Sequence, residues 1–167
     1  MKEVDYKQFS EKAIEQLQKG AFLNVKSGDK INTMTIGWGS IGYSWKKPVF
    51  MVMVRYSRYT YELLKDAKEF TVSLPIDVDL SKQLSICGKK SGRDVDKFKL
   101  CDLTPATANK VDAPIIAECD LHYECKILFK QDIKEAELDN EFKDTFYKDN
   151  NFHVLFYGEI VGTYIKE

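Results

Sequence analysis

The 167-residue chain is poor in residues that break or staple a fold: four prolines, nine glycines, four cysteines and two histidines. Scarce Pro and Gly, beside ten Phe, nine Tyr and two Trp, exclude a disordered or low-complexity chain. Cys87, Cys101, Cys119 and Cys125 form no Cys-x-x-Cys pair, which excludes a zinc ribbon and a thioredoxin-type dithiol. With only His122 and His153 to assist, no metal site is expected, and the thiols read as reduced structural residues. A basic excess is missing too: 25 Lys and Arg face 26 Asp and Glu, a net charge of −1. Proteins that grip long nucleic acid through its phosphates carry such an excess, so an anion bound here is small. No apolar run is long enough for a membrane span, and Lys2, Glu3, Asp5 and Lys7 open the chain with no hydrophobic run behind them. The expectation is a cytoplasmic protein with no membrane segment and no secretory signal.

What is present suits one domain over residues 1–167, without repeat or linker. Tyr6, Phe9, Ala13, Ile14 and Leu17 recur at helical spacing, predicting an amphipathic helix over 5–19, with Asp5 and Gln8 as a capping box and Gly20 as its stop. Ala21–Val25 predicts a strand ended by a turn at 26–30. Ile31–Ile36 predicts another, with Asn32, Met34 and Ile36 on one face and Ile31, Thr33 and Thr35 on the other. The uninterrupted apolar run Val49–Val54 predicts a strand buried on both faces. A short helix at 61–65, a strand at 70–74 stopped by Pro75, and one or two helical turns between 79 and 86 follow. Beyond the polar loop 88–97, residues 114–129 predict one long strand or a bent pair. Leu138, Phe142 and Phe146 mark a surface helix, and Phe152–Ile165 a final strand bent at Gly158 or Gly162. The sum is mainly β with peripheral helices, and short strands crossed by long ones favour a closed barrel over an open sheet.

Three segments carry candidate chemistry. At the end of the Val49–Val54 strand, Arg55, Ser57, Arg58 and Thr60 arrive together at a helix start. Guanidinium groups, hydroxyls and free N–H groups there make a phosphate cradle, or else Ser57 is only an N-cap and the arginines are surface charges. On the second strand Asn32, Thr33, Met34 and Thr35, followed by Trp38 and Ser40, suit the edge and wall of a flat aromatic ligand; alternatively the threonines face solvent and Trp38 plugs a barrel end. In the third, Cys87 to Phe98, Lys89, Lys90, Ser91, Gly92, Arg93 and Lys97 lack the order of a P-loop and read as a solvated loop or as a basic flap over a phosphate. His153 reads as a packed histidine. No hydrolytic arrangement of residues stands out.

In this order the segments resemble the flavin reductase-like family of FMN-binding split β-barrels of Greek-key type, which includes the flavoredoxins. The resemblance rests on Asn32-Thr33-Met34-Thr35 with Trp38, Pro48-Val49 followed by Arg55 and Thr60, Ser91-Gly92 with Asp96-Lys97-Phe98, and His153 with Gly158-Glu159. It implies a homodimer with noncovalent FMN near the subunit interface. Asn32, Thr33, Met34, Thr35 and Trp38 would then border the flavin ring, and Arg55, Ser57, Arg58 and Thr60 would hold the phosphate. Ser91, Gly92 and Lys97 would close over it from the loop, and His153 would lie near the flavin. The activity implied is NAD(P)H:flavin reduction or flavoredoxin-like electron transfer, with NADH or NADPH as donor and a redox partner protein as a further expectation. A noncatalytic flavin-binding or ligand-sensing barrel is the alternative. The Ser91–Phe98 loop argues against the pyridoxamine-phosphate oxidase branch, and the charge balance against nucleic acid.

Overall fold

The computed structural model describes residues 1–167. In chain order the elements are β1 (Lys2–Glu3), α1 (Ser10–Lys19), β2 (Ala21–Ser27), β3 (Lys30–Ile36), β4 (Gly39–Ser44) and β5 (Lys47–Arg55). Next come α2 (Tyr59–Leu64), β6 (Glu69–Leu74), α3 (Ser81–Lys89), α4 (Lys97–Leu100), β7 (Pro105–Ala106) and β8 (Ile115–Ile116). The chain ends with β9 (Leu121–Asp132), a 3₁₀ turn (Glu135–Glu137), α5 (Asn140–Phe146) and β10 (His153–Ile165). No helix is long and apolar enough to cross a membrane.

One antiparallel sheet in the order β3-β2-β6-β9-β10-β5-β4 curls around the main core, with β1 added to β10. Phe50, Val52, Val54, Phe70, Val72, Tyr123 and Phe156 fill its interior. The ladder does not close: β3 and β4 are its two free ends. The fold is thus mainly β and a split barrel, as the resemblance implies, whereas strand lengths alone had favoured a closed one.

Helix α1 starts at Ser10, later than its apolar spacing predicts, because Asp5 receives the Lys7 N–H and shapes a preceding turn instead of a capping box. Gly20 ends the helix at φ 121°, returning its N–H to Gln16 and Leu17. Gly39–Ser44, a glycine-rich stretch, adds an edge strand that no apolar pattern announces. β5 alternates: Phe50, Val52 and Val54 are buried, while Met51 and Met53 are half-buried on the outer face, so the run is covered on one side only. The stretch 114–129 resolves as a bent pair, the short β8 and the long β9. β10 shifts register against β9 between Tyr157 and Gly158 and again between Ile160 and Gly162, so an irregularity falls at both of the positions that the sequence offers as alternatives. At Gly158 a Cβ would sit 2.6 Å from Phe70 and 2.7 Å from Cys125, so only glycine allows this approach.

Candidate functional site

β5 ends at Arg55, where β10 begins opposite it at His153. Tyr56–Arg58 then turns the chain into α2, with Arg58 in the N-cap position, so Ser57 is no helix cap. Its hydroxyl instead accepts from Asn151 Nδ2 at 2.7 Å. Helix α2 has only six residues, and the charge at its start comes from side chains.

A cavity of about 120 Å³ lies between this turn and the 88–97 loop. Ser57, Arg58, Thr60, Ser91, Gly92 and Lys97 line it together with Asn32 and Met34. Asn32 Nδ2 donates to Thr60 Oγ1 at 2.8 Å and fixes its floor. Lys97 is buried, 4% exposed, and its ammonium donates to the carbonyls of Thr33 (2.8 Å) and Cys87 (2.9 Å). Arg58 donates to the Gly88 carbonyl at 2.8 Å. Neither cation has a carboxylate within 4.0 Å. Burial lowers both, Lys97 to about 8 with Arg58 adding to the effect, and Arg58 with Arg55 adding. A buried ammonium such as that of Lys97, and to a lesser degree the half-buried guanidinium of Arg58, is costly without counter-charge unless an anion completes it.

A second cavity, about 260 Å³, shares Met34 and Arg58 with the first. Thr35, Trp38, Met53 and His153 are among its other walls. Trp38 lies 5.2 Å from the rings of both Phe146 and His153. Tyr147 Oη is 2.8 Å from His153 Nδ1. Burial first, then Arg55 and Arg58, lower His153 to about 4, so it is neutral at neutral pH.

The predicted site residues divide. Asn32 and Met34 face inward, whereas Thr33 and Thr35 lie on the outer face of β3. Thr35 Oγ1 donates to Leu84 O at 2.6 Å and still borders the ring-sized cavity. Thr33 lines neither cavity, and its buried hydroxyl has no partner. Arg55 borders the second cavity, but its guanidinium donates to Asn151 O (2.7 Å) and Phe146 O (2.9 Å), pinning the segment after α5. Its position makes it an anchor for the site wall, where the sequence pattern suggests a phosphate ligand. Ser91 Oγ accepts from Arg93 N at 3.2 Å and shapes the loop. Tyr147, Asn151 and Met53 were missed. Met53 is hidden in an apolar run, and the polar doublet Asn150-Asn151 is the one sequence signal near the others.

Both histidines are held neutral: burial lowers His122 to about 4 as well. The unfolded chain takes up these protons near pH 6.5 and the fold only near 4, so the unfolded state binds more protons between those values. Stability from this source is full above about pH 6.5 and is lost as pH falls toward 4. Each histidine contributes at most about 1.4 kcal/mol per pH unit. Denaturant unfolding at pH 7 and pH 5 should differ by up to about 4 kcal/mol on that basis. His122→Asn should roughly halve the difference; an unchanged slope in that variant would contradict it.

An open, curled antiparallel sheet with a cation-lined pocket running into an aromatic-walled one defines the split-barrel class of ligand-binding proteins. The family model described as "Flavin reductase like domain" matches residues 21–167, and the chain belongs to that family. It is similar to an uncharacterized protein of Archaeoglobus fulgidus, 31% identical over 140 residues, covering 84% of this chain and 68% of the relative. Among solved structures it is similar to the flavoredoxin from Methanosarcina acetivorans, 26% identical with a TM-score of 0.69, over 89% of this chain and 68% of that one. A putative flavin reductase with split barrel domain from Shewanella frigidimarina shares the fold at TM-score 0.69 and 18% identity, over 98% of this chain and 76% of that one.

Proposed function

We propose that the protein binds FMN noncovalently and acts as an oxidoreductase, as an NAD(P)H:flavin reductase or a flavoredoxin-like electron carrier. The observation that carries this reading is the pair of cations without carboxylate partners in the small polar cavity: Lys97 in its wall, and Arg58 where it adjoins the aromatic-walled one. A dianionic phosphate suits the first cavity and a flat ring the second. Arg58, Lys97, Thr60 and Ser91 would hold the phosphate; Met34, Trp38 and Met53 would wall the ring. When bound, FMN supplies the hydride and electron chemistry. The chain's own residues bind, orient and exclude water. His153, neutral and tied to Tyr147, serves as a wall and dipole at neutral pH, and no side-chain acid is demanded. Resemblance to flavoredoxins supports the reading. The test is the absorption spectrum of the purified protein, then oxidation of NADH and of NADPH with and without free FMN. Catalytic turnover with free flavin supports a reductase, and a single reduction of bound flavin a carrier. No flavin bound and none taken up would refute both.

The same reading includes a homodimer. Met51, Met53, Leu155 and Tyr157 are half-buried on the outer sheet face. Trp38 (42%), Trp45 (59%) and Phe129 (47%) are more exposed around it. The ring-sized cavity borders this face through Met53 and Trp38, so a second copy there would cover the ring. Light scattering of flavin-loaded protein should report twice the 19.3 kDa chain mass. A monomer that retains FMN would exclude this arrangement.

A further inference from the structure

Cys87 and Cys101 meet at the base of the loop that borders the small polar cavity. Their Sγ atoms are 3.8 Å apart, and both are free thiols. Cys87 is fully buried near the end of α3, and Cys101 is 5% exposed just past α4. Leu84, Phe98 and Leu103 enclose them in a small apolar cluster. Cys119 shares that cluster without a sulfur contact, and Cys125 belongs to the main core.

The position of the pair matters more than the contact alone. Ser91, Gly92 and Lys97 lie between the two cysteines in the chain, so the pair brackets the loop. The Cys87 carbonyl accepts from Lys97, and the next carbonyl, Gly88, accepts from Arg58. A constraint applied at Cys87 therefore acts on the anchors of both cations. A disulfide has an S–S length of about 2.05 Å, so the sulfurs need approach by only about 1.8 Å.

We propose that Cys87 and Cys101 form a redox-active pair whose disulfide, made by exchange with a low-molecular-weight disulfide, clamps the 88–97 loop. Cys101, the more exposed, attacks first: its sulfur bonds to one sulfur of the small disulfide, whose S–S bond breaks, and the leaving thiol carries off the Cys101 proton. Cys87 then attacks the Cys101 sulfur, the mixed disulfide breaks, and a second small thiol leaves with the Cys87 proton. Two cysteine thiols are oxidised and one small disulfide is reduced to two thiols. Burial, with Cys101 alongside, pushes the Cys87 thiol up to about 12, which argues against its attacking first; its own attack relies on the Cys101 sulfur 3.8 Å away, which makes the second step intramolecular. Closing a loop of this length should also raise the melting temperature, by about 5 °C or more.

The effect on flavin release rests on the FMN reading; bond formation and loop protection do not. The experiment incubates wild type with glutathione disulfide, counts thiols and maps the cross-linked peptide. It then follows tryptic cleavage at Lys89, Lys90 and Arg93, and the release of FMN. The expected result is a loss of two thiols from four, a Cys87–Cys101 peptide, several-fold slower loop cleavage and several-fold slower FMN release, all reversed by dithiothreitol. Cys101→Ser should abolish every change, whereas Cys119→Ser should not. A persistent glutathione adduct, a bond to Cys119 or Cys125, or no bond in the folded protein overturns the pair. A Cys87–Cys101 bond with unchanged tryptic cleavage overturns the clamp. Failure to bind FMN at all refutes the functional reading and leaves the thiol and cleavage results to decide the pair.

Discussion

Arg58→Ala is expected to remove most of the preference for FMN over riboflavin. The two ligands differ in the phosphate, so their affinity ratio isolates the small cavity. A charge-assisted hydrogen bond at a desolvated site contributes about 1.5–3 kcal/mol. With Arg58 and Lys97 both engaged, FMN should bind about a hundredfold or more tighter than riboflavin. Arg58→Ala should weaken FMN by about 10- to 100-fold and leave riboflavin nearly unchanged. Arg55→Ala behaves differently, because that guanidinium holds the 146–151 segment beside the ring-sized cavity; it should weaken both ligands alike. Lys90→Ala should do less than Arg58→Ala, since Lys90 borders the same small cavity from an exposed, solvent-screened position. The pH dependence has a definite sign. Lys97 titrates near 8 in the unliganded fold, so its charge is present below that value and lost above it. FMN affinity should therefore fall as pH rises through 8, with proton uptake on binding, while riboflavin affinity stays level. Calorimetry in buffers of different ionisation enthalpy measures both. Equal affinity for the two flavins would defeat the cradle.

Gly92→Ala should cost FMN affinity on a similar scale. A Cβ there would lie 2.1 Å from Asn32 Oδ1 and 2.8 Å from the Tyr59 ring. Asn32 cannot retreat freely, being buried and committed to Thr60. The loop must move outward instead, taking Ser91 and Arg93 with it and widening the cavity. Overpacking of this kind costs about 1–3 kcal/mol, or roughly a 5- to 150-fold loss if the cost falls on the bound form. Gly42→Ala is the matched control, because nothing lies within 4 Å of its added carbon. Titration of flavin fluorescence compares the two variants; FMN binding unaltered by Gly92→Ala would show that the loop does not form the cavity wall.

Periodicity made some of this architecture readable in advance and left other parts silent. Gly20 and the bends near Gly158 and Gly162 were legible because glycine marks places where a Cβ is excluded. The opposed faces of Asn32/Met34 and Thr33/Thr35 followed from strand alternation, but alternation cannot say that helices cover the outer face. That covering removes Thr33 from the cleft and engages Thr35 with Leu84. β4 was unreadable because edge strands need no apolar stripe. The Val49–Val54 run misled for a related reason: methionines at alternate positions look like core, yet Met51 and Met53 sit on the open face. Arg55 and Lys97 were both identifiable as basic residues near a cleft. Which one lacks a carboxylate is set by the fold: Arg55 has Asp149 at 3.7 Å besides the carbonyls of Phe146 and Asn151, while Lys97 meets only the carbonyls of Thr33 and Cys87, and such partners leave no trace in local sequence.

A sheet with two ends carries two rows of backbone donors and acceptors that lack a neighbouring strand. Such rows invite pairing with another chain, the route by which β proteins aggregate. Here the two ends are protected unequally. α3 and α4 pack against β3, with Lys97 and Leu84 tied to its Thr33 and Thr35. β4 is short, interrupted by Gly39 and Gly42, and turns at Trp45 and Lys46, both at positive φ, into Lys47. A brief, glycine-broken edge next to two lysines is a poor template for a foreign strand, so leaving the barrel open does not also seed a fibre.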